Sequence, residues 1–325
     1  MSDRTWVSAH LFYHADQDAV VVGVVKPTVE RLRRAGQADG FFFLRYWEGG
    51  PHIRLRVLTR PEHVQQVRSV IEEAAAEFYR TSPSQFPISA QDYADSAPGL
   101  AALERMADYD TVLHPDNSVA FVDYVPETEV FGTGRSLEAV ERHLMAASAL
   151  AVELIARGRK PGQRAMDAFA MLAANRTLFT GILPELAYQA RFMVESGGQA
   201  AQLIGTPEFE RYFEANKAQL RSTLEAVWAA TRGVALPEAS VVSNWLSTVR
   251  ELNDTLVELE LLGRLDAYPS FEAPADVLDH INHLVPQLIV ERCAHLMCNR
   301  LGISLAQESH LRLLLTRAAF DLCAV

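Results

Sequence analysis

The sequence predicts an α+β protein, with a β-rich N-terminal third packed with a predominantly helical remainder. Three observations carry that reading. Short runs rich in aromatic and β-branched residues, "WVSAHLFY", "FFFLRYW" and "HIRLRVL", crowd the N-terminal part. From Leu137 onward apolar residues recur at helical spacing between Gly and Pro breaks. The strands are gathered ahead of the helices rather than alternating with them, which argues against βαβ units. A single domain is expected over residues 1–325, with an α+β part at 1–135 and a mainly helical part at 136–325.

Each element has its own signal. Asp18 to Ala35 reads as a helix ended by Gly36, and Gly49-Gly50-Pro51 as the turn joining two hairpin strands. Side chains alternate along a strand, so His52, Arg54 and Arg56 share one face and Ile53, Leu55 and Val57 the other. Arg60 to Arg80 reads as a helix with Pro61 in its first turn. Ser82 to Ala97 is rich in Ser, Pro, Asp and Gln and reads as a loop. A short strand is expected at Val119 to Glu127, followed by the glycine-bearing turn "FGTGRS". Ser136 is placed as the N-cap of a long helix with Gly158 beyond its end. Further helices are expected at 161–180, 183–195, 207–231, 240–263, 276–302 and 305–323.

Composition narrows the function classes. The chain is 49% hydrophobic and 22% charged, ordinary for a globular protein. Its net charge of -11 argues against nucleic acid as the partner, because a phosphate-backbone binder needs a positive stripe. The N-terminus lacks the pattern of a signal peptide and no apolar run reaches the ~20 residues that span a bilayer, so a cytoplasmic protein without membrane contact is expected. Cys293, Cys298 and Cys323 lack CxxC spacing and read as reduced core thiols. No GxGxxG, GxxxxGK[ST], HExxH or GxSxG motif is present.

Three stretches could carry chemistry. The hairpin "FLRYWEGGPHIRLRV" holds Arg45, His52, Arg54 and Arg56 between apolar residues. Its charged face is either a solvated strand face or a place where guanidinium groups hold a carboxylate or a developing enolate. In "CAHLMCNRLGIS", His295 and Asn299 are four apart and share a helix face, with Arg300 beside it. The turn "YVPETEVFGTG" contributes Tyr124, Glu127 and Glu129.

Read in order, these stretches and the closing "HLMCNRLGISLAQESHLRLLL" resemble the thiopeptide-type bacteriocin biosynthesis domain. That domain is also the glutamate-elimination domain of class I lanthipeptide dehydratases. The resemblance spans nearly the whole chain and implies their fold. It implies a ribosomally made precursor peptide, with leader and modified core, as the substrate. Neither metal nor other cofactor is implied; other enzymes of the same pathway and a homodimer are admitted as partners.

Two chemistries share this fold. Elimination enzymes expel glutamate from a glutamyl ester on Ser or Thr, leaving dehydroalanine or dehydrobutyrine. Pyridine synthases join two dehydroalanines in a formal four-plus-two cycloaddition, then release water and the leader peptide. By the resemblance, Arg54 and Arg56 match the hairpin arginines and His295 the C-terminal histidine, giving catalytic groups together with Tyr124 and Glu127. Arg45, His52, Asn299 and Arg300 are expected to bind substrate. Elimination enzymes carry an Arg-Tyr-Gly-Gly run after the Tyr-x-x-Glu segment, whereas this chain has Val130-Phe131-Gly132-Thr133. The missing arginine favours pyridine synthesis; elimination is the alternative, and a non-catalytic peptide-binding scaffold the second.

Overall fold

The computed structural model describes residues 4–85, 87–104, 106–179, 206–236, 240–268 and 283–323. The chain divides into two compact units, one comprising Met1–Pro126 with Ala151–Gly158 and the other Glu127–Leu150 with Arg159–Val325.

The first unit is built on an antiparallel sheet of β1 (Thr5–Phe12), β2 (Gly40–Tyr46), β3 (His52–Thr59) and β4 (Ser118–Val122), in the order β2-β3-β1-β4. Its apolar face presents Val7, Ala9, Leu11, Phe43, Ile53 and Leu55, all buried. Against the sheet packs α3 (Val64–Thr81). The expected helix near residue 18 forms as α1 (Gln17–Val20), a π-helical turn Val21–Val25 and α2 (Lys26–Arg34) in succession. The side chain of Asp16 caps its start by accepting from Asp18 N at 3.0 Å. The hairpin loop depends on left-handed backbone at Gly49 and Gly50, with φ of 73° and 109°.

The expected loop at Ser82 to Ala97 holds only in its first half, because α4 spans Ala90–Leu103. A capping box decides this. Ser89 Oγ accepts from Asp92 N at 3.0 Å, and Asp92 accepts in return from Ser89 N at 3.3 Å. The polar composition is thus that of an exposed helix rather than of a turn.

The second unit is helical. Its described helices are α5 (Thr128–Phe131), α6 (Gly134–Ala156, whose last turns group with the first unit), α7 (Pro161–Phe179), α8 (Pro207–Thr231), α9 (Val241–Leu261), α10 (Leu284–Arg300) and α11 (Leu305–Cys323). At the centre, α7 packs on α8, α9, α10 and α11. It is apolar nearly all round, with Ala168 through Ala174 buried without interruption, as a central helix must be. Its one fully buried amide, Asn175, donates to Val290 O at 3.0 Å and accepts from Trp245 Nε1 at 2.8 Å, so three helices share one satisfied polar bridge.

Three expectations need correction or bounding. Ser136 is not an N-cap: α6 starts at Gly134, and the Ser136 hydroxyl donates back to Phe131 O at 2.6 Å. Cys293 and Cys298 are buried free thiols, but Cys323 is exposed. The helix expected at 183–195 and the first turns of that at 276–302 lie outside the described residues. Among the described residues, no helix is long and apolar enough to cross a membrane.

Candidate functional site

The second face of the first unit's sheet is polar and largely buried. Strand register sets its composition: Ser8 pairs with Arg56, His10 with Arg54, Phe12 with His52, and Tyr46 with His52 from the other side. His52 is fully buried, and Nδ1 lies 2.8 Å from Gly50 O. A carbonyl can only accept, so Nδ1 carries the proton and Nε2 accepts from Arg54 Nε at 3.2 Å. Burial pushes the His52 pKa down to about 3 against the raising effect of that carbonyl, and Arg54 and Arg56 push it further, so the ring is neutral. His52 therefore holds Arg54 in place and has no free lone pair for proton transfer.

Arg54 is fixed from two more directions. Its Cζ sits 3.3 Å from the centroid of the Tyr46 ring. Its Nη2 donates to Glu48 Oε2 at 2.8 Å, while Glu48 Oε1 accepts from Asp110 N at 3.0 Å. The hairpin loop itself is clasped by Tyr93 of α4, which accepts from Gly49 N at 2.7 Å. Arg54 thus already grips a carboxylate supplied by its own chain.

Arg56 lies in an aromatic setting, with Cζ 6.0 Å from the ring centroids of both Phe42 and Tyr124. Trp6 closes the cluster, edge-on to Phe42 at 5.0 Å and to Tyr124 at 5.5 Å. Tyr124 is thereby brought to Arg56. Arg45 is not: it pairs with Ile53 across the hairpin, faces the other side of the sheet, and binds Asp18 at 2.5 Å.

In the second unit, Arg292, His295 and Asn299 form a stripe on α10 at helical spacing, while Cys293, Leu296, Met297 and Cys298 face the core. Glu127 reaches this stripe through Arg292, whose Nη2 lies 3.5 Å from Glu127 Oε2. Arg300 lies elsewhere: it is fully buried, with Nε donating to Ser148 Oγ at 2.9 Å.

His295 is held by a chain of ion pairs. Its Nδ1 lies 2.8 Å from Glu308 Oε2, and Glu308 Oε1 accepts from Arg312 at 2.9 Å and 3.0 Å. Arg312 also donates to Glu291 at 2.6 Å, and Glu291 lies 3.3 Å from Arg176 of α7. Burial by itself would raise Glu308 and Glu291. His295 and Arg312 outweigh it for Glu308, as Arg176 and Arg312 do for Glu291, and both carboxyls are held below the usual range. An ionised Glu308 can only accept, so His295 carries its proton on Nδ1, and in the neutral ring Nε2 is the basic nitrogen. The neutral ring therefore presents Nε2, not Nδ1, as its acceptor.

The turn after Glu127 is closed by Asp266, which accepts from Thr133 N at 2.9 Å and from Thr133 Oγ1 at 2.5 Å. Phe131 is buried, and no guanidinium belongs to the turn itself, whose residues are Val130-Phe131-Gly132-Thr133.

Sequence reasoning missed Glu48, His10, Arg292, Glu308 and Arg312. The Glu308 to Arg312 spacing of four was a readable helix pair, and Arg292 stands three before His295 on the same helix face. Nothing in the sequence joined Glu48 to Arg54, since the contact depends on how the loop folds back.

The chain matches the family model for the lantibiotic biosynthesis dehydratase C-terminal region over residues 6–319. It belongs to that family, and so to the enzymes that modify ribosomally made peptides. Among solved structures it is similar to the pyridine synthase TbtD from thiomuracin biosynthesis, with TM-score 0.78 and 22% identity over 98% of this chain and 99% of that one. It is also similar to TsrL, with TM-score 0.66 and 16% identity over 99% and 96% of the two chains. The tRNA-dependent lantibiotic dehydratase MibB from Microbispora sp. 107891 matches with TM-score 0.59 and 19% identity, over 98% of this chain and 28% of MibB. A search of curated proteins gave no match. The α+β fold expected from sequence is the fold these proteins share.

Proposed function

We propose that the protein is a thiopeptide pyridine synthase, acting on a leader-bearing precursor peptide that contains two dehydroalanines. The observation that carries this reading is the Glu48–Arg54 pair at 2.8 Å. A cation already matched by its own chain's carboxylate is poorly suited to grip a substrate glutamate, but its remaining N–H groups can donate to neutral peptide carbonyls. The arginine-free turn at Val130 to Thr133 supports the same choice. The fold is common to both chemistries and does not discriminate between them.

In this reading His295 takes the amide N–H proton and delivers it to the carbonyl oxygen, giving the iminol. The iminol-bearing azadiene and the second alkene then make two carbon–carbon bonds, closing the six-membered ring. His295 passes a proton to the hydroxyl, which leaves as water while one ring CH2 gives up a proton, and the leader then departs as its terminal amide with a proton from the second ring CH2, completing the aromatic ring. Glu308 positions the imidazole, and Arg56 with Tyr124 donates to substrate carbonyls. Holding both alkenes in contact is worth up to about 7–11 kcal/mol, a large part of what such a reaction needs.

The test is incubation with a leader-bearing peptide carrying two dehydroalanines and, separately, with a glutamylated serine peptide, each followed by mass spectrometry. Leader release with formation of a pyridine chromophore is expected. Release of glutamate alone would assign elimination instead, and binding without turnover of either peptide would assign a scaffold. His295→Ala is expected to lower kcat by about 10²–10⁴-fold with little change in peptide Kd; equal loss of both would make the histidine a groove residue only.

A further inference from the structure

Glu291 and His295 stand one turn apart on α10, and Glu308 and Arg312 one turn apart on α11, so two pairs of side chains meet between the helices. Arg312 closes the set. Its Nε and Nη2 both donate to Glu308 Oε1, at 3.0 Å and 2.9 Å, which leaves Oε2 to accept from His295 Nδ1 at 2.8 Å. Its Nη1 donates to Glu291 Oε2 at 2.6 Å, and Glu291 Oε1 lies 3.3 Å from Nε of Arg176 on α7. The guanidinium is thus fixed at both ends.

The charges around Glu308 show what depends on Arg312. Two guanidiniums, Arg176 and Arg312, stand against two carboxylates, Glu291 and Glu308, so the cluster balances while the His295 ring is neutral. Burial works against an ionised Glu308, and His295 and Arg312 outweigh it. Of these two, only Arg312 carries a permanent charge. Burial would lower Arg312 as well, but Glu291 and Glu308 raise it, and the guanidinium stays charged. The Cys298 thiol, which also senses Glu308, is pushed up to about 12 by burial and stays neutral. With Arg312 removed, no fixed positive charge in this cluster touches Glu308, and the buried carboxyl takes up a proton. A protonated carboxyl can donate to Nδ1, so the imidazole proton shifts to Nε2, the nitrogen that the reaction needs free.

We propose that Arg312 is a positioning residue for His295: by occupying Glu308 Oε1 it holds Oε2 as the acceptor for Nδ1 and so fixes the tautomer that leaves Nε2 basic. This deepens the reading of His295 as the proton-transfer group and rests on that reading for its effect on rate. Arg312 acts through Glu308 and needs no contact with the peptide.

The experiment pairs ¹⁵N spectra of the His295 ring in the ligand-free protein with turnover of the leader-bearing, two-dehydroalanine peptide. In Arg312→Met at pH 7 the ring should shift to the Nε2–H tautomer, with kcat lowered about 10- to 100-fold and peptide Kd unchanged. Raising the pH should ionise Glu308 and restore both tautomer and rate, a recovery that Glu308→Gln cannot show. Arg312→Lys keeps a charge beside Glu308 and should keep the Nδ1–H tautomer. Adding Arg312→Met to Glu308→Gln should lower kcat little further, because both changes act through one contact. If Arg312→Met does not fold, Glu291→Gln/Arg312→Met leaves Arg176 and Glu308 in balance and should give the same spectra. An unchanged His295 tautomer in these Met variants, or losses that add in the Glu308→Gln background, would make Arg312 a structural ion pair and overturn the assignment with the functional reading intact. Absence of turnover by the wild-type protein would overturn the pyridine synthase reading, while the ring spectra would still decide what Arg312 does.

Discussion

Glu308 decides what His295 can do. An exposed histidine on a helix is ordinary; one bonded at 2.8 Å to a carboxylate that is itself 6% exposed is oriented and fixed in tautomer. Glu308→Gln keeps the volume but lets an amide N–H face Nδ1, which favours the wrong tautomer. A fall in kcat of about 10- to 100-fold with KM nearly unchanged is expected, partly restored in Glu308→Asp. The ¹⁵N shifts of His295 should report the tautomer change directly; unchanged shifts would reduce Glu308 to a packing residue. Gly132 makes a second residue-scale prediction. Its φ of 75° and ψ of −167° suit glycine alone, and an added Cβ would meet Asp266 Oδ1 at 2.6 Å. Gly132→Ala should destabilise by about 1–3 kcal/mol, read as a shifted denaturation midpoint.

At the scale of elements, periodicity was legible and boundaries followed caps. The helices at 207–231 and 305–323 are found at those bounds because Thr206 caps the first and Leu301-Gly302 breaks the chain before the second. The segment after Ser82 has a loop-like composition, but the four-residue signal Ser89-x-x-Asp92 starts a helix within it. Ser89→Ala should remove about 1 kcal/mol and speed amide hydrogen exchange in the first turn of α4. Exchange unchanged there would mean that packing rather than the cap holds the helix start.

Over the whole molecule, buried histidines set the response to acid. His10 is lowered to about 2 and His52 and His143 to about 3, in each case chiefly by burial. Between those values and the unfolded value near 6.5, the unfolded chain binds protons that the native chain does not. Stability is therefore full above about pH 6.5 and falls as pH drops, by at most about 1.4 kcal/mol per pH unit for each buried ring. The lowered carboxyls Glu291 and Glu308 add a loss in the same direction at lower pH. Urea midpoints measured at pH 7 and pH 5 should show the drop; a flat profile would mean these rings charge freely in the folded state.

The sequence by itself determined the α+β class, the hairpin with its charged strand face, the helix carrying His295 and the family, because all of these rest on local periodicity and on motifs that are contiguous in the chain. Which charges meet was decided only by tertiary structure. Arg45 and Arg54 stand nine residues apart in one hairpin, yet register puts them on opposite faces of the sheet. Arg300 was read beside His295 and turns into the core, whereas Glu308 and Arg292 complete the histidine's surroundings. Glu48 neutralises Arg54 through a loop folded back on itself. Period and motif say which side chains share a face; only packing in three dimensions says which of them lie within reach of one another.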